Sequence, residues 1–466
     1  MCNDNLSYCY CSGVDRMRDE CGLFGGVINS EDNMQTTCFA LYALQHRGQE
    51  SAGIAISNGN NIWIKKGMGL VSEVFEDTGT HELYKGNKVL GHVRYSYGEQ
   101  GLKPENTQPL LFRYRFGEMA IAHNGNLLNH YKLREGLESQ GSIFQSTTDS
   151  ELLAHFVARE GSPEIEEALK NVVPVLKGGY AFIILTRDKV IGLRDPLGIR
   201  PLSLGRLSQD EYILASESCA FNSLGAEFVR DVEPGEMLTI NDNWISSFRI
   251  TPSPRKALCV FEFIYFARPD SELCGKNVHL VRRELGRNLA REHPVDADIV
   301  IGVPDSSISA GSGFAEESGL PYEMGLIKNR YIGRTFIQPA PETRKLGVGI
   351  KLNPVKSIVE GKRVVIVDDS IVRGTTSMQL VNMLRQAGAR EVHMRISSPP
   401  VISSCYYGIN TPTSSELIAS QGSEEVARLI RADSIGFLSL EKMIESVGIS
   451  GEKLCQACFT GDYPVR

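Results

Sequence analysis

The sequence predicts two domains in tandem, an α+β domain followed by an α/β domain, on three observations. From about Cys21 to Ile250, short apolar and β-branched runs alternate with helical stretches. In the second half, strand, helix and strand recur at the spacing of βαβ units, which means a parallel sheet. Between the two halves, Thr251-Pro252-Ser253-Pro254-Arg255 has the composition of a linker. A chain of 466 residues readily supports more than one core. The expected layout is a leader over 1–20, a first domain over 21–250 and a second over 255–466.

Taken in order, Gly22-Leu23-Phe24-Gly25-Gly26-Val27 opens the first apolar strand. Asn87–Val93 and Met119–Ala122 read as further strands, and Thr148–Arg159 as a helix capped by a Thr/Asp pair. Val232-Glu233-Pro234-Gly235 is a turn before a last strand, Glu236–Ile240. Beyond the linker, Val278–Glu292 is a basic amphipathic helix leading into the strand Ile299–Val303. The strand Lys362–Val367, a loop, a helix over Ser377–Ala387 and the strand Glu391–Ile396 complete the pattern, with Gly388 marking the helix end.

Composition is that of an ordinary globular protein, 42% hydrophobic and 23% charged. A net charge of -7 argues against nucleic acid as the main partner. No apolar run is long enough to span a bilayer, and the first twenty residues lack a signal-peptide h-region, so a cytoplasmic location is expected. Eleven cysteines in a reducing compartment read as thiols or metal ligands rather than bridges. Cys2, Cys9 and Cys11 fall in the leader, and Cys38, Cys219 and Cys274 read as core or surface residues.

Cys21 stands where the polar leader meets the first strand. A cysteine there is ordinarily core filler. If the leader is removed, it becomes a first residue bearing both a thiol and a free α-amine. An α-amine with a pKa near ~8 can take the thiol's proton at neutral pH, the logic of N-terminal nucleophile (Ntn) hydrolases. Elsewhere in this half, Gln45-His46-Arg47-Gly48 makes a helix-to-strand turn and Arg94 ends a strand. Asn124-Gly125 offers a side-chain amide beside a glycine N–H, and Asp149 begins a helix. As a set they supply what glutamine hydrolysis needs: a cation for the carboxylate, an anion for the ammonium and two donors for an oxyanion.

The run Val364-Val365-Ile366-Val367-Asp368-Asp369-Ser370-Ile371-Val372-Arg373-Gly374-Thr375-Thr376-Ser377 is the most specific in the chain. It sets two carboxylates at the end of a buried strand, where open α/β sheets bind ligands, followed by a loop of Gly, Thr and Ser suited to a phosphate. The carboxylates there suit ribose hydroxyls or a Mg²⁺. This run resembles the ribose-phosphate motif of type I phosphoribosyltransferases, whose substrate is 5-phosphoribosyl-1-pyrophosphate (PRPP). Asp305, Ser306 and Ser307 resemble that family's pyrophosphate loop. The segment from Lys328 through Tyr331 to Thr335 resembles its catalytic lid, with cations at Lys328, Arg330, Arg334 and Arg344 suited to closing over a polyanion.

From Cys21 onward the chain resembles the glutamine PRPP amidotransferases. The resemblance implies an Ntn-hydrolase (αββα) glutaminase domain followed by a type I phosphoribosyltransferase domain. It implies that Cys21 is the nucleophile, that Asn124 and Gly125 form the oxyanion hole, and that Arg94, Asp149 and Arg47 bind glutamine. For PRPP it implies Asp305, Ser306, Ser307, Lys328, Tyr331, Asp368, Asp369, Ser370, Arg373, Gly374, Thr375, Thr376 and Ser377, with Mg²⁺ held at Ser306, Asp368 and Asp369. It also implies a homotetramer inhibited by AMP, GMP and ADP, with no nucleic acid or membrane partner. The stretch from Ser96 to Lys103 departs from the family's usual Thr and small residues.

Cys455-Gln456-Ala457-Cys458 alone is open between a redox pair, a zinc half-site, an iron–sulfur half-site and no metal at all. Cys259, Cys405, Cys455 and Cys458 match the ligands of the family's iron–sulfur, propeptide-bearing subgroup, which implies a structural [4Fe–4S] cluster. Two other classes use parts of this pattern. A PRPP-sensing regulator would need a basic DNA-binding module, and a different glutamine amidotransferase would need another second domain.

Overall fold

The computed structural model describes residues 21–30, 32–76, 85–95, 103–253, 255–329, 352–409, 411 and 416–465. The leader, most of the Ser96–Lys103 stretch, and the lid from Arg330 through Tyr331 to Thr335 lie outside them.

The first half is two stacked antiparallel sheets. One has seven strands in the order Glu227–Asp231, Ser203–Arg206, Tyr212–Ala215, Gly22–Val27, Lys88–Arg94, Ser51–Ser57 and Ile62–Met68. The other has six, in the order Ile245–Arg249, Glu236–Ile240, Val190–Arg194, Gly178–Thr186, Gly117–Leu127 and Leu110–Tyr114. Period-two alternation decides which side chains meet between them. Leu23, Val27, Ala55, Leu90, Ala120, Ala122 and Ile183 fill the space between the sheets. Their neighbours Phe24, Ile54, Ile56 and Val89 point outward, beneath the helices Asn33–Ala43 and Cys219–Leu224. On the far side, Ile121, Phe182 and Ile184 pack against Ser150–Glu160 and Ile165–Val172. The result is the expected αββα sandwich.

The second half holds a four-stranded parallel sheet, Ile299–Gly302, Arg363–Asp368, Glu391–Ile396 and Ser434–Phe437. Its two strands Ile299–Gly302 and Arg363–Asp368 are apolar on both faces, as in a sheet covered twice, whereas Glu391–Ile396 sets buried His393 and Arg395 on one of its faces. Val300, Val365 and Val367 face one core, while Ile301, Val364 and Ile366 face the other. The helices Val278–Glu292 and Ile308–Ser318 pack together on the first side, and Thr375–Gln386 lies on the second. No helix among the described residues is long and apolar enough to cross a membrane.

Two local readings differ from the structure. The strand expected at Met119–Ala122 continues to Leu127, so Asn124 and Gly125 lie within it, opposite Ala181 and Tyr180. The helix expected from Thr148 begins at Ser150, and Asp149 makes no side-chain capping bond. Its carboxylate is drawn instead to a partner in the neighbouring sheet.

Candidate active sites

The first site forms where Gly22–Val27 and Lys88–Arg94 leave their sheet together. Gly22 pairs with Val93, so Cys21 and Arg94 emerge side by side. The Cys21 thiol donates to the Tyr95 carbonyl at 3.5 Å. Arg94 is 8% exposed. Burial pulls its guanidinium below the ordinary value, while Cys21, Glu50 and Asp149 act to raise it. Gly48 admits this approach: a Cβ there would sit 2.5 Å from the Arg94 nitrogen.

Asn124 is fully buried, and both atoms of its amide lack a hydrogen-bond partner among the described residues. Gly125 beside it has φ +126°, and a Cβ would lie 2.1 Å from the Gly179 oxygen, so only glycine fits without displacing the next strand. Asp149 reaches into the same region. Its Oδ2 accepts from the Leu127 N–H at 2.9 Å and its Oδ1 lies 3.2 Å from His123 Nδ1. Burial alone would raise this carboxyl, but His123 and the Leu127 N–H bring it below the ordinary carboxylate value. His123 is stacked on Phe182 at 4.1 Å, and its backbone N–H donates to Gln108. His92 Nε2 donates to the His123 carbonyl at 3.1 Å, and burial holds its imidazole down to about 3, hence neutral. His123, Gln108 and His92 went unread in the sequence. The only signal was the histidine next to Asn124-Gly125.

Arg47 departs from its expected glutamine-binding role. It is completely buried, with Nη1 donating to Glu217 at 2.6 Å and Glu262 at 3.0 Å, and Nη2 donating to Glu262 at 2.8 Å. Its Nε donates to the Cys21 carbonyl at 3.3 Å. A guanidinium already clamped by two carboxylates is poorly placed to receive a substrate's carboxylate.

The second site lies at the C-terminal ends of the neighbouring strands Ile299–Gly302 and Arg363–Asp368. Asp368 and Asp369 are almost fully buried. The Ser307 hydroxyl donates to Asp368 at 3.1 Å and approaches Asp369 at 3.4 Å, which ties the two loops together. Ser370 donates to Asp369 at 2.7 Å, and Ser306 lies 3.3 Å from Ser307. Gly374, at φ +77°, turns the chain into the helix Thr375–Gln386, so Thr375, Thr376 and Ser377 occupy its first turn. Backbone N–H groups at such a helix start suit an anion. Arg373 pairs with Glu416 at 2.9 Å, and Lys328 with Asp305 at 2.5 Å. Two cations of the expected site are therefore parked on carboxylates at its rim.

The four cysteines come together from three distant segments. Cys259 and Cys455 are register partners in a short parallel pair, Leu258–Cys259 with Leu454–Cys455. With Cys405 and Cys458 they line one cavity, shared with Ile199, Arg200, Tyr407, Ile409 and Ala457. Burial pushes the Cys455 thiol up to about 12, and burial with the neighbouring sulfurs pushes Cys259 and Cys458 up as well. Four soft sulfur donors around one apolar cavity fit an iron–sulfur cluster, whose positive irons would stabilise the thiolates.

Comparison with known proteins bears on the family of the whole chain. Residues 92–223 match the family model of a glutamine amidotransferase domain. The amidophosphoribosyltransferase of Bacillus subtilis (strain 168) is 51% identical over 459 residues, covering 97% of this chain and 96% of the relative. That of Methanothermobacter thermautotrophicus is 49% identical over 463 residues, with the same coverage of 97% and 96%. A solved structure of glutamine PRPP amidotransferase from B. subtilis, complexed with ADP and GMP, superposes with a TM-score of 0.89 at 51% identity, covering 96% of this chain and 97% of that one. Another, described as the allosteric regulatory enzyme of purine biosynthesis, gives 0.90 at 51% identity and covers 96% of each chain. With a glutaminase-type αββα sandwich and a phosphoribosyltransferase-type sheet in one chain, and such relatives over its length, this protein belongs to the amidophosphoribosyltransferase family, glutamine amidotransferases that catalyse the first committed step of purine biosynthesis.

Proposed function

We propose that the leader over 1–20 is removed and that Cys21, then N-terminal, attacks the glutamine side-chain carbonyl. Its own α-amine takes the thiol proton. Arg94 receives the substrate carboxylate and Asp149 its ammonium. The Asn124 amide and the Gly125 N–H stabilise the oxyanion. Ammonia leaves, and water cleaves the Cys21 thioester to glutamate. The observation that carries this reading is the fully buried Asn124 amide, without a hydrogen-bond partner among the described residues: a group of that kind is costly to leave unpaired unless a ligand completes it.

Ammonia passes internally to the second domain, over 255–466, because free ammonia protonates at neutral pH and ceases to be a nucleophile. There it displaces pyrophosphate from C1 of PRPP, giving 5-phosphoribosylamine. Asp368 and Asp369 hold the ribose hydroxyls. Ser370, Arg373, Gly374, Thr375, Thr376 and Ser377 receive the 5′-phosphate, and Asp305, Ser306, Ser307, Lys328 and Tyr331 the pyrophosphate. Ser306, Asp368 and Asp369 would hold Mg²⁺, which when bound neutralises the departing pyrophosphate. Cys259, Cys405, Cys455 and Cys458 would hold a [4Fe–4S] cluster that pins the C-terminal tail.

The B. subtilis relative complexed with ADP and GMP supports inhibition of this chain by purine nucleotides. AMP joins GMP and ADP as an inhibitor in this reading, and the working form is a cytoplasmic homotetramer. The experiment that tests the pairing of sites is Cys21→Ser. Glutamine-dependent synthesis should be lost while synthesis from ammonium persists. Loss of both, or of neither, contradicts the reading.

A further inference from the structure

A knot of four buried charges lies where the two halves meet: Arg47, Arg200 and Glu217 from the first, Glu262 from the second, each at 0% exposure. Burying that many ions is costly, and such groups are held only by good geometry. Glu262 grips Arg47 with both oxygens, at 2.8 and 3.0 Å, and Arg200 stands 3.8 Å away. A two-point grip fixes the plane of a guanidinium, and therefore the direction of its remaining N–H groups. Here the fixed Nε–H is the one that donates to the Cys21 carbonyl.

Glu262 itself is seated by the second half. It opens the irregular helix Glu262–Phe266. Arg282, from the helix Val278–Glu292, donates to the Phe263 and Ala267 carbonyls at 2.8 Å each and so braces that turn. The same helix packs on Ile308–Ser318, which begins directly after Ser307 of the second site.

We infer that Glu262, a residue of the phosphoribosyl half, is a positioning residue for the glutaminase reaction, holding the Cys21 backbone in place through Arg47. This rests on the reading of Cys21 as nucleophile. Glu262 touches no reacting atom, so its effect should fall on chemistry more than on glutamine binding.

The test uses the full-length processed enzyme with Glu262→Gln, which keeps the shape and removes the charge. Misplacing a nucleophile by about 1 Å costs on the order of 10²-fold. Glutamine-dependent kcat should fall toward that value with KM for glutamine nearly constant. Alkylation of Cys21 by diazo-oxo-norleucine, a glutamine analogue, should slow in parallel. Synthesis from ammonium reports on folding at the other site and should be spared. A glutamine-dependent kcat within about twofold of wild type, or equal losses from glutamine and ammonium, overturns the inference. If Glu262→Gln does not accumulate folded, Arg47→Lys decides by the same criteria, since lysine keeps the charge but has no N–H at the Nε position. A wild-type label found away from residue 21 would instead remove the nucleophile assignment, whatever Glu262 does.

Discussion

Asn124 and Asp149 make opposite demands on their surroundings, and each has a measurable consequence. The Asn124 amide is buried without a partner among the described residues, so its worth lies in what it donates during the reaction. Asn124→Leu should lower glutamine-dependent kcat by about 10²–10³-fold, the usual loss on removing one oxyanion donor. Steady-state kinetics with glutamine and with ammonium checks this. Asp149 is instead satisfied in advance by His123 and the Leu127 N–H, which hold it below its unfolded value. Its stabilisation is therefore present above the unfolded value, near ~3.9, and is lost as pH falls through the lower folded value. KM for glutamine should stay flat as pH drops through the ordinary carboxylate range, and Asp149→Asn should raise it at every pH. The chemistry of these residues was legible because each brings a functional group of the right charge or donor type. Their partners were not. Arg47 meets Glu217 and Glu262 across 170 and 215 residues, a separation no local pattern spans. Asp149 read as a helix cap because local spacing hides the sheet that takes its carboxylate.

Among the elements, the parallel sheet was the more legible. Continuous apolar runs of Val and Ile announce strands buried on both faces, and Glu391–Ile396 and Val278–Glu292 fall where the sequence put them. Loops at the strand ends follow from that topology. The Ser307 hydroxyl, bonded to the strand-end carboxylates, makes the two loops one unit. Asp369→Asn should therefore raise KM for PRPP by roughly 10–100-fold, the worth of a hydrogen bond to a charged group. The same factor should appear with glutamine and with ammonium, because both routes end at this site. In the antiparallel half, Gly117–Leu127 ran past its predicted end. A glycine reads locally as a turn, whereas Gly125 is held in a strand at φ +126° against the Gly179 carbonyl. Gly125→Ala should lower thermal stability by about 1–3 kcal/mol, as backbone strain of this type does, a loss that thermal denaturation would register.

Across the whole molecule, the two halves are joined by more than a linker. Arg200 donates twice to the Tyr407 carbonyl, and Asn126, next to the proposed oxyanion residues, donates to the Tyr406 carbonyl at 2.8 Å. Tyr406 and Tyr407 directly follow Cys405, so the cysteine-lined cavity sits against both halves. Cys455→Ser should reduce iron content and visible absorption and lower Tm, because a metal site that draws distant segments together contributes its binding energy to folding. In the sequence the four cysteines were grouped by family resemblance alone, because spacing cannot show the pairing of Leu258–Cys259 with Leu454–Cys455 that brings Cys259 to Cys455. Everything proposed for the first half depends on Cys21 having a free α-amine. The direct measurement is the intact mass, under denaturing conditions, of enzyme purified without oxygen and hydrolysing glutamine. A mass lacking residues 1–20 is the predicted result. A mass retaining them in a preparation that still releases glutamate would contradict the account, since Cys21's nitrogen would then be a peptide nitrogen, unable to take the thiol proton.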